Sequence, residues 1–259
     1  MILSLTLVGM VALPSLARTQ TRSELMGCVS NQRQWIQAFL LYAAENQDAL
    51  LGNNWVPTNN PVDLLSGGFW PGPTRQIGSQ LSAKAALESV RDGLANGPLW
   101  SYLPDAEAYH CPGDRRWLEL RPGAGWGWDS YAKADGMGSG LAAGVRPFRR
   151  VAEVPRPEVS SVLIEETDPR GSNLGAWSLG VSPPGWTDVP AAMHEDGASF
   201  GFLDGHTELH RWSDAATLKA ARDAMRGRQS FFFQGGTARN PDFVWVWNRY
   251  QHAGWRALP

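Results

Sequence analysis

Residues 1–48 read MILSLTLVGMVALPSLARTQTRSELMGCVSNQRQWIQAFLLYAAENQD, and this stretch decides the fold. Residues 1–17 carry no charged side chain. In the part that follows, apolar residues recur with a helical period, and Trp35, Phe39 and Tyr42 fall on one stripe at i, i+4 and i+7. The pattern predicts one long helix that begins as an apolar segment and ends as an amphipathic packing helix.

The apolar segment 1–17 allows three interpretations. As a helix it would span about 25 Å, somewhat less than the bilayer core of about 30 Å. It could be a signal peptide cleaved before Arg18, although no basic segment precedes it. It could be a complete transmembrane helix, although Arg18 and Arg22 would then hold the remaining chain in the cytoplasm. We favour a true start upstream, where a basic leader and further apolar residues would complete an inner-membrane anchor.

The rest of the chain, residues 51–259, is predicted to be one turn-rich globular domain that follows a helical domain at 1–50. Its fold class is α+β, with the long N-terminal helix against a small antiparallel sheet that has long loops. The 28 Gly and 18 Pro residues are typical of short strands and long connections. Helical patterns occur at Ala83–Leu94 and Asp214–Arg226. A strand pattern occurs at Ser161–Glu166, and a hairpin is predicted at Ser199–Trp212.

The charge balance excludes one class of partner. The chain has 23 basic and 25 acidic side chains and a net charge of -2. Proteins that bind nucleic acid normally carry a basic face. The sequence therefore predicts no nucleic-acid partner.

Three segments, in order along the chain, resemble one family. Cys28-Val29-Ser30-Asn31-Gln32-Arg33-Gln34 is similar to the C-x-x-N-x-R-Q stretch of bacterial pilin-like proteins. Cys111-Pro112-Gly113-Asp114 resembles the CPxD turn of the same group. His194, followed after nine residues by Asp204-Gly205 and then His206, is similar to the signature of the prepilin-type processing-associated H-X9-DG domain.

The resemblance implies a pilin-like or pseudopilin structural subunit that is not an enzyme. Such a subunit would be anchored in the inner membrane and would assemble with itself or with other pilin-like subunits. It would form or assist a type II secretion or type IV pilus-like filament, with its globular domain periplasmic or extracellular. The chain departs from the family at the prepilin cleavage site, because no acidic residue occurs before Glu24.

Several titratable residues are candidates for chemistry, namely Glu165, Glu166, Asp168, His194, Asp204, His206 and His210. His194, Glu165 and Asp204 are the candidate ligands of a cation, either zinc or calcium. The simpler alternative, which we favour, is that Asp204-Gly205 makes a tight turn and His194 holds the preceding loop. No nucleophile motif is present, so no catalytic residue is predicted.

The two cysteines, Cys28 and Cys111, are the candidates for a disulfide. An even number of cysteines in an exported protein favours pairing. The sequence alone does not place the two sulfur atoms together.

The 13 Trp residues support an alternative function. Trp126, Trp128, Trp177 and Trp186 fall in predicted loops, where exposed rings could stack on sugars. The chain could then be a cell-surface glycan-binding module. Ordinary core filling is the competing explanation of the same residues.

Overall fold

The computed structural model describes residues 2–52, 82–118, 128–138, 143–168 and 176–258. Within them the fold is α+β, as the sequence predicts. The helices are α1 (Ile2–Glu45), α2 (Ala83–Ala95), α3 (Ala215–Ala224) and α4 (Pro241–Trp247). The strands are β1 (Tyr131–Ala134), β2 (Ser161–Glu165), β3 (Ala176–Trp177), β4 (Leu179–Val181), β5 (Pro184–Trp186), β6 (Gly197–Phe202) and β7 (Thr207–Arg211).

Five of the strands form one sheet in the order β3-β1-β2-β6-β7, and β4 pairs with β5 in a separate hairpin. All neighbours in the larger sheet are antiparallel except β1 and β3, which pair in parallel. The prediction of an antiparallel sheet is therefore corrected to a mixed one. Strand β3 lies at the edge of the sheet beside β1 and runs in the same direction as β1.

The local predictions with a clear period are confirmed. The hairpin predicted at Ser199–Trp212 is β6 and β7, which pair from Gly197 with Arg211 to Gly201 with Thr207. The helix predicted at Asp214–Arg226 is α3, and the carboxylate of Asp214 accepts hydrogen bonds from its first free N–H groups.

The sheet lies between two hydrophobic cores. On one face α1 packs with Trp35, Ile36 and Phe39 against side chains of β1 and β2. On the other face α3 and α4 cover β6, and the core there is largely aromatic, including Phe200 and Phe243.

Helix α1 lies directly on β6. A polar link between them is Gln32, whose Nε2 donates to the backbone oxygen and the hydroxyl of Ser199 at 3.1 and 2.8 Å. The close approach depends on Gly201, because a Cβ there would lie 2.6 Å from Cδ1 of Ile36. The indole of Trp35 donates to the backbone oxygen of Ala108 at 3.0 Å. These contacts fix the second half of α1 to the domain.

The predicted membrane anchor is contradicted. Among the residues that the structure describes, no helix combines the length and the apolar character that crossing a bilayer requires. From Gln20 onward α1 carries Arg22, Glu24 and Arg33, and charged side chains are costly in a bilayer core. This finding overturns the predicted inner-membrane location with a periplasmic or extracellular domain.

A buried cysteine, histidine and glutamate cluster

Four distant segments bring two thiols, an imidazole and a carboxylate together. Cys28 lies on α1, seven residues before Trp35 and therefore on the same buried face. Cys111 follows a short 3-10 helix, Glu165 is the last residue of β2, and His194 precedes β6. The candidate ligand atoms of these four side chains all lie within 4.8 Å of one another.

The distances within this cluster are short. The thiol of Cys28 donates to Oε1 of Glu165 at 2.9 Å. Nε2 of His194 also lies 2.9 Å from that oxygen, and it lies 3.2 Å from Sγ of Cys111. All four side chains are at most 1% exposed. The four side chains therefore form one connected polar cluster in the protein interior.

Protein groups outside the cluster orient three of its members. The backbone N–H of Gly113 donates to Sγ of Cys111, and the hydroxyl of Tyr131 donates to Sγ of Cys28, both at 3.3 Å. The backbone N–H of Ser199 donates to Oε2 of Glu165 at 2.6 Å. Nδ1 of His194 is buried and has no hydrogen-bond partner among the described residues, so packing and its Nε2 contacts set the orientation of the ring.

The electrostatics favour a charged pair between His194 and Glu165. Burial by itself would raise the pKa of Glu165, but the charge of His194 and hydrogen bonds from His194 and both thiols lower this pKa to about 2. Burial would lower the pKa of His194, but Glu165 and a hydrogen bond with Cys28 raise it to about 10. Burial, followed by Cys28 and Glu165, raises the pKa of the Cys111 thiol well above its ordinary value.

This donor set could hold a metal ion. Two cysteine sulfurs, one imidazole nitrogen and one carboxylate oxygen are ligands that zinc accepts in proteins. Because the cluster is almost completely buried, an organic substrate cannot reach it without an opening of the fold.

Comparison with protein-family models, with curated proteins and with solved structures finds no match for this chain. The resemblance to pilin-like proteins therefore remains a prediction.

The H-X9-DG segment spans strand β6. His194 lies three residues before the strand and enters the cluster, whereas Asp204 and Gly205 follow the strand and make the turn into β7. Gly205 has φ +96°, a conformation that favours glycine. The nine-residue spacing thus corresponds to a six-residue strand and its two short connections.

The predicted cation site is only partly assembled. His194 and Glu165 are brought together, but Asp204 is not a member of the cluster. Its carboxylate instead accepts from the backbone N–H of His206 at 3.2 Å, and it lies 2.6 Å from Nδ1 of the same residue. Asp204 and His206 are both about one-third exposed, so their contact lies at the surface, within the turn between β6 and β7.

The predicted disulfide between Cys28 and Cys111 is not formed, because both residues are free thiols in the structure. The helical period of α1 carried the missing signal, because Cys28 falls on the stripe that contains Trp35.

The tryptophans predicted to form a glycan platform are core residues where the structure describes them. Trp128, Trp177 and Trp186 are each less than 5% exposed, and Trp126 lies outside the described residues. The indole of Trp128 donates to the backbone oxygen of Ala106 at 3.1 Å. Buried rings cannot stack on a polysaccharide, so the glycan-binding alternative loses its support.

The other candidates for chemistry have separate structural contacts. Nε2 of His210 lies 3.0 Å from Asp242, and its ring stacks on Trp245. Glu166 and Asp168 are buried but are not members of the four-residue cluster.

A cavity of about 330 Å³ lies between α1 and β7. Thr21, Arg22 and Leu25 line it from the helix, and Leu209 and Arg211 line it from the strand. It also reaches His194, so this cavity adjoins the buried cluster.

Proposed function

We propose that this protein is a non-enzymatic, pilin-like structural subunit that self-associates through α1, as a component of a type II secretion or type IV pilus-like assembly. The observation that carries the proposal is the way α1 is divided. It is one helix from Ile2 to Glu45, and its described side chains become buried only from Cys28 onward. The second half of the helix belongs to the domain core, and we assign the contacts with other copies to the outward side of α1 and to its apolar first residues.

The apolar composition of the first half supports self-association. Residues 1–17 contain no charged side chain. Burying apolar side chains is favourable in water, and packing of this segment against the same segment of other copies would bury them. The packing of Trp35, Ile36 and Phe39 on the sheet holds the helix firmly enough to transmit such contacts to the domain.

The described outer face of α1 also carries exposed apolar side chains. Met26 is 60% exposed and Leu41 is 53% exposed, and they lie about four turns apart on the same side of the helix. Among the residues that the structure describes, Leu118 and Phe232 are the other exposed large apolar side chains. Isolated exposed apolar residues are common, but two on the outward side of one long helix fit a contact between copies.

A structural role also agrees with the burial of the candidate chemical groups. The candidate metal-binding cluster is almost completely buried, and it consists of Cys28, Cys111, Glu165 and His194.

Sedimentation velocity of the full chain tests the proposal. We expect the average sedimentation coefficient to rise with protein concentration. The double variant Met26→Glu/Leu41→Glu should sediment as a monomer, because the new charges would be desolvated in a contact between helices. Leu118→Glu is the matched control, since this residue is 59% exposed and lies outside α1. A wild-type chain that stays monomeric at every concentration contradicts the proposal, and so does equal dissociation in the control.

A further inference from the structure

We propose that Cys28, Cys111, Glu165 and His194 bind one structural zinc ion, which fastens α1 to the central sheet. This inference goes beyond the proposed function. It would hold for a monomeric protein as well, because all four ligands come from one chain.

The geometry of the cluster is close to that of a tetrahedral zinc site. Zinc binds sulfur at about 2.3 Å and nitrogen or oxygen at about 2.0–2.2 Å, which separates neighbouring ligand atoms by roughly 3.3–3.8 Å. The observed contacts are 2.9 Å from Glu165 to Cys28 and to His194, and 3.2 Å from His194 to Cys111. Since all candidate atoms lie within 4.8 Å of one another, changes of about 1 Å in their separations would bring them to coordination distances.

The ligand types select zinc over the hard cations. Calcium and magnesium prefer oxygen ligands, whereas this cluster offers two sulfurs and one nitrogen for a single carboxylate. Four protein ligands also leave no open position, which is the pattern of structural zinc sites. The calcium alternative that the sequence left open is therefore disfavoured.

The surroundings of the ligands give independent support. Each sulfur accepts one hydrogen bond from the protein, from Gly113 N–H to Cys111 and from the Tyr131 hydroxyl to Cys28. Donors aimed at sulfur stabilise the thiolate form that binds a metal, and a donor to the second oxygen of a carboxylate orients the first. Ser199 N–H supplies that donor for Glu165.

We assign the entry of the ion to the cavity beside His194. The cavity between α1 and β7 reaches His194, so movement of that ring would open the cluster from one side. Because Cys28 comes from α1 and Glu165 from β2, a bound ion would join the helix directly to the sheet.

The test uses the untagged full chain, refolded with zinc and then dialysed without it. We expect elemental analysis to find about one zinc ion per chain. Cobalt(II) in place of zinc should give intense visible bands of a tetrahedral centre and a sulfur-to-cobalt charge-transfer band. His194→Gln should weaken zinc binding at least tenfold, a loss expected when even a supporting group is removed. His210→Gln is the matched control, because His210 contacts Asp242 outside the cluster, and it should bind zinc as the wild type does.

Two results would overturn the proposal. The first is a wild-type chain that folds but retains no zinc and shows no sulfur-to-cobalt band, which is decisive even where the His194 variant does not fold. The second is equal loss of zinc in the His194 and His210 variants, which would place the ion elsewhere. Neither result depends on whether the chain self-associates, so the two proposals fail separately.

Discussion

Nε2 of His194 lies 2.9 Å from Oε1 of Glu165, and the two side chains form an ion pair with at most 1% exposure. Burying two charges is costly, and their attraction offsets this cost only when both partners are present. Removing one partner should therefore harm the fold more than an exposed ion pair would.

Glu165→Gln should lower the free energy of unfolding by about 3–5 kcal/mol, because it leaves the charge of His194 without its buried partner. Glu195→Gln is the matched control. Glu195 and Arg211 form an ion pair in which both side chains are more than half exposed. The variant should therefore change the free energy of unfolding by less than about 1 kcal/mol. Urea denaturation of the two chelator-treated variants measures their free energies of unfolding without any contribution from a metal. Equal effects would contradict the assigned role of the pair.

Gly201→Ala should destabilise the protein by about 1–3 kcal/mol, because the new methyl group would lie 2.6 Å from Cδ1 of Ile36 and that side chain would have to move within a packed core. Gly185→Ala is the control, since a Cβ there meets nothing within 4 Å. Thermal denaturation of the two variants compares them directly. A harmless change at Gly201 would show that the helix does not approach the sheet so closely.

Gly205→Ala should cost about 1–3 kcal/mol through backbone strain alone, because Gly205 has φ +96° and its Cβ would meet no atom within 4 Å. Asp204→Asn should change stability by less than about 0.5 kcal/mol, since the amide oxygen can still accept from His206 N–H. Chemical denaturation measures the free energy of unfolding of both variants. A large effect at Asp204 with none at Gly205 would argue for a ligand role of this segment rather than a turn.

Asp129 should make stability depend on pH in the weakly acidic range. Burial is the largest cause that raises its pKa from 3.8 to about 7, and nearby Asp114 adds to the shift while Arg116 opposes it. The folded protein therefore binds a proton more strongly than the unfolded chain, so the contribution of Asp129 is fully present below about pH 4 and is lost as the pH rises to about 7.

Asp129→Asn removes this titration. The unfolding free energy of the variant minus that of the wild type should rise between about pH 4 and pH 7, by up to about 4 kcal/mol at roughly 1.4 kcal/mol per pKa unit. The hydrogen bond that Asp129 accepts from the N–H of Tyr131 can persist in the variant. Urea denaturation across this range measures the difference, and a constant difference would refute the assignment.

Local sequence patterns predicted much of the fold, but they predicted only Glu165 and His194 of the four cluster residues as ligands. The hairpin around Gly205 and helix α3 followed from turn residues and periodicity, which are properties of neighbouring residues. The meeting of Cys28 with Cys111 depends on how α1 lies on the sheet, and no short-range pattern encodes that. The parallel pairing of β3 depends in the same way on a long connection. The burial of Trp177 and Trp186 follows from contacts between distant elements, so their position in predicted loops was misleading.

Disulfide cross-linking between copies tests the central claim of self-association through α1 most directly. Met26→Cys, Leu41→Cys and the control Leu118→Cys each add one exposed thiol, while Cys28 and Cys111 stay buried. Under mild oxidation, we expect covalent dimers for at least one of the two α1 variants and none for the control. Absence of cross-links at both α1 positions, or equal cross-linking at Leu118, would contradict it.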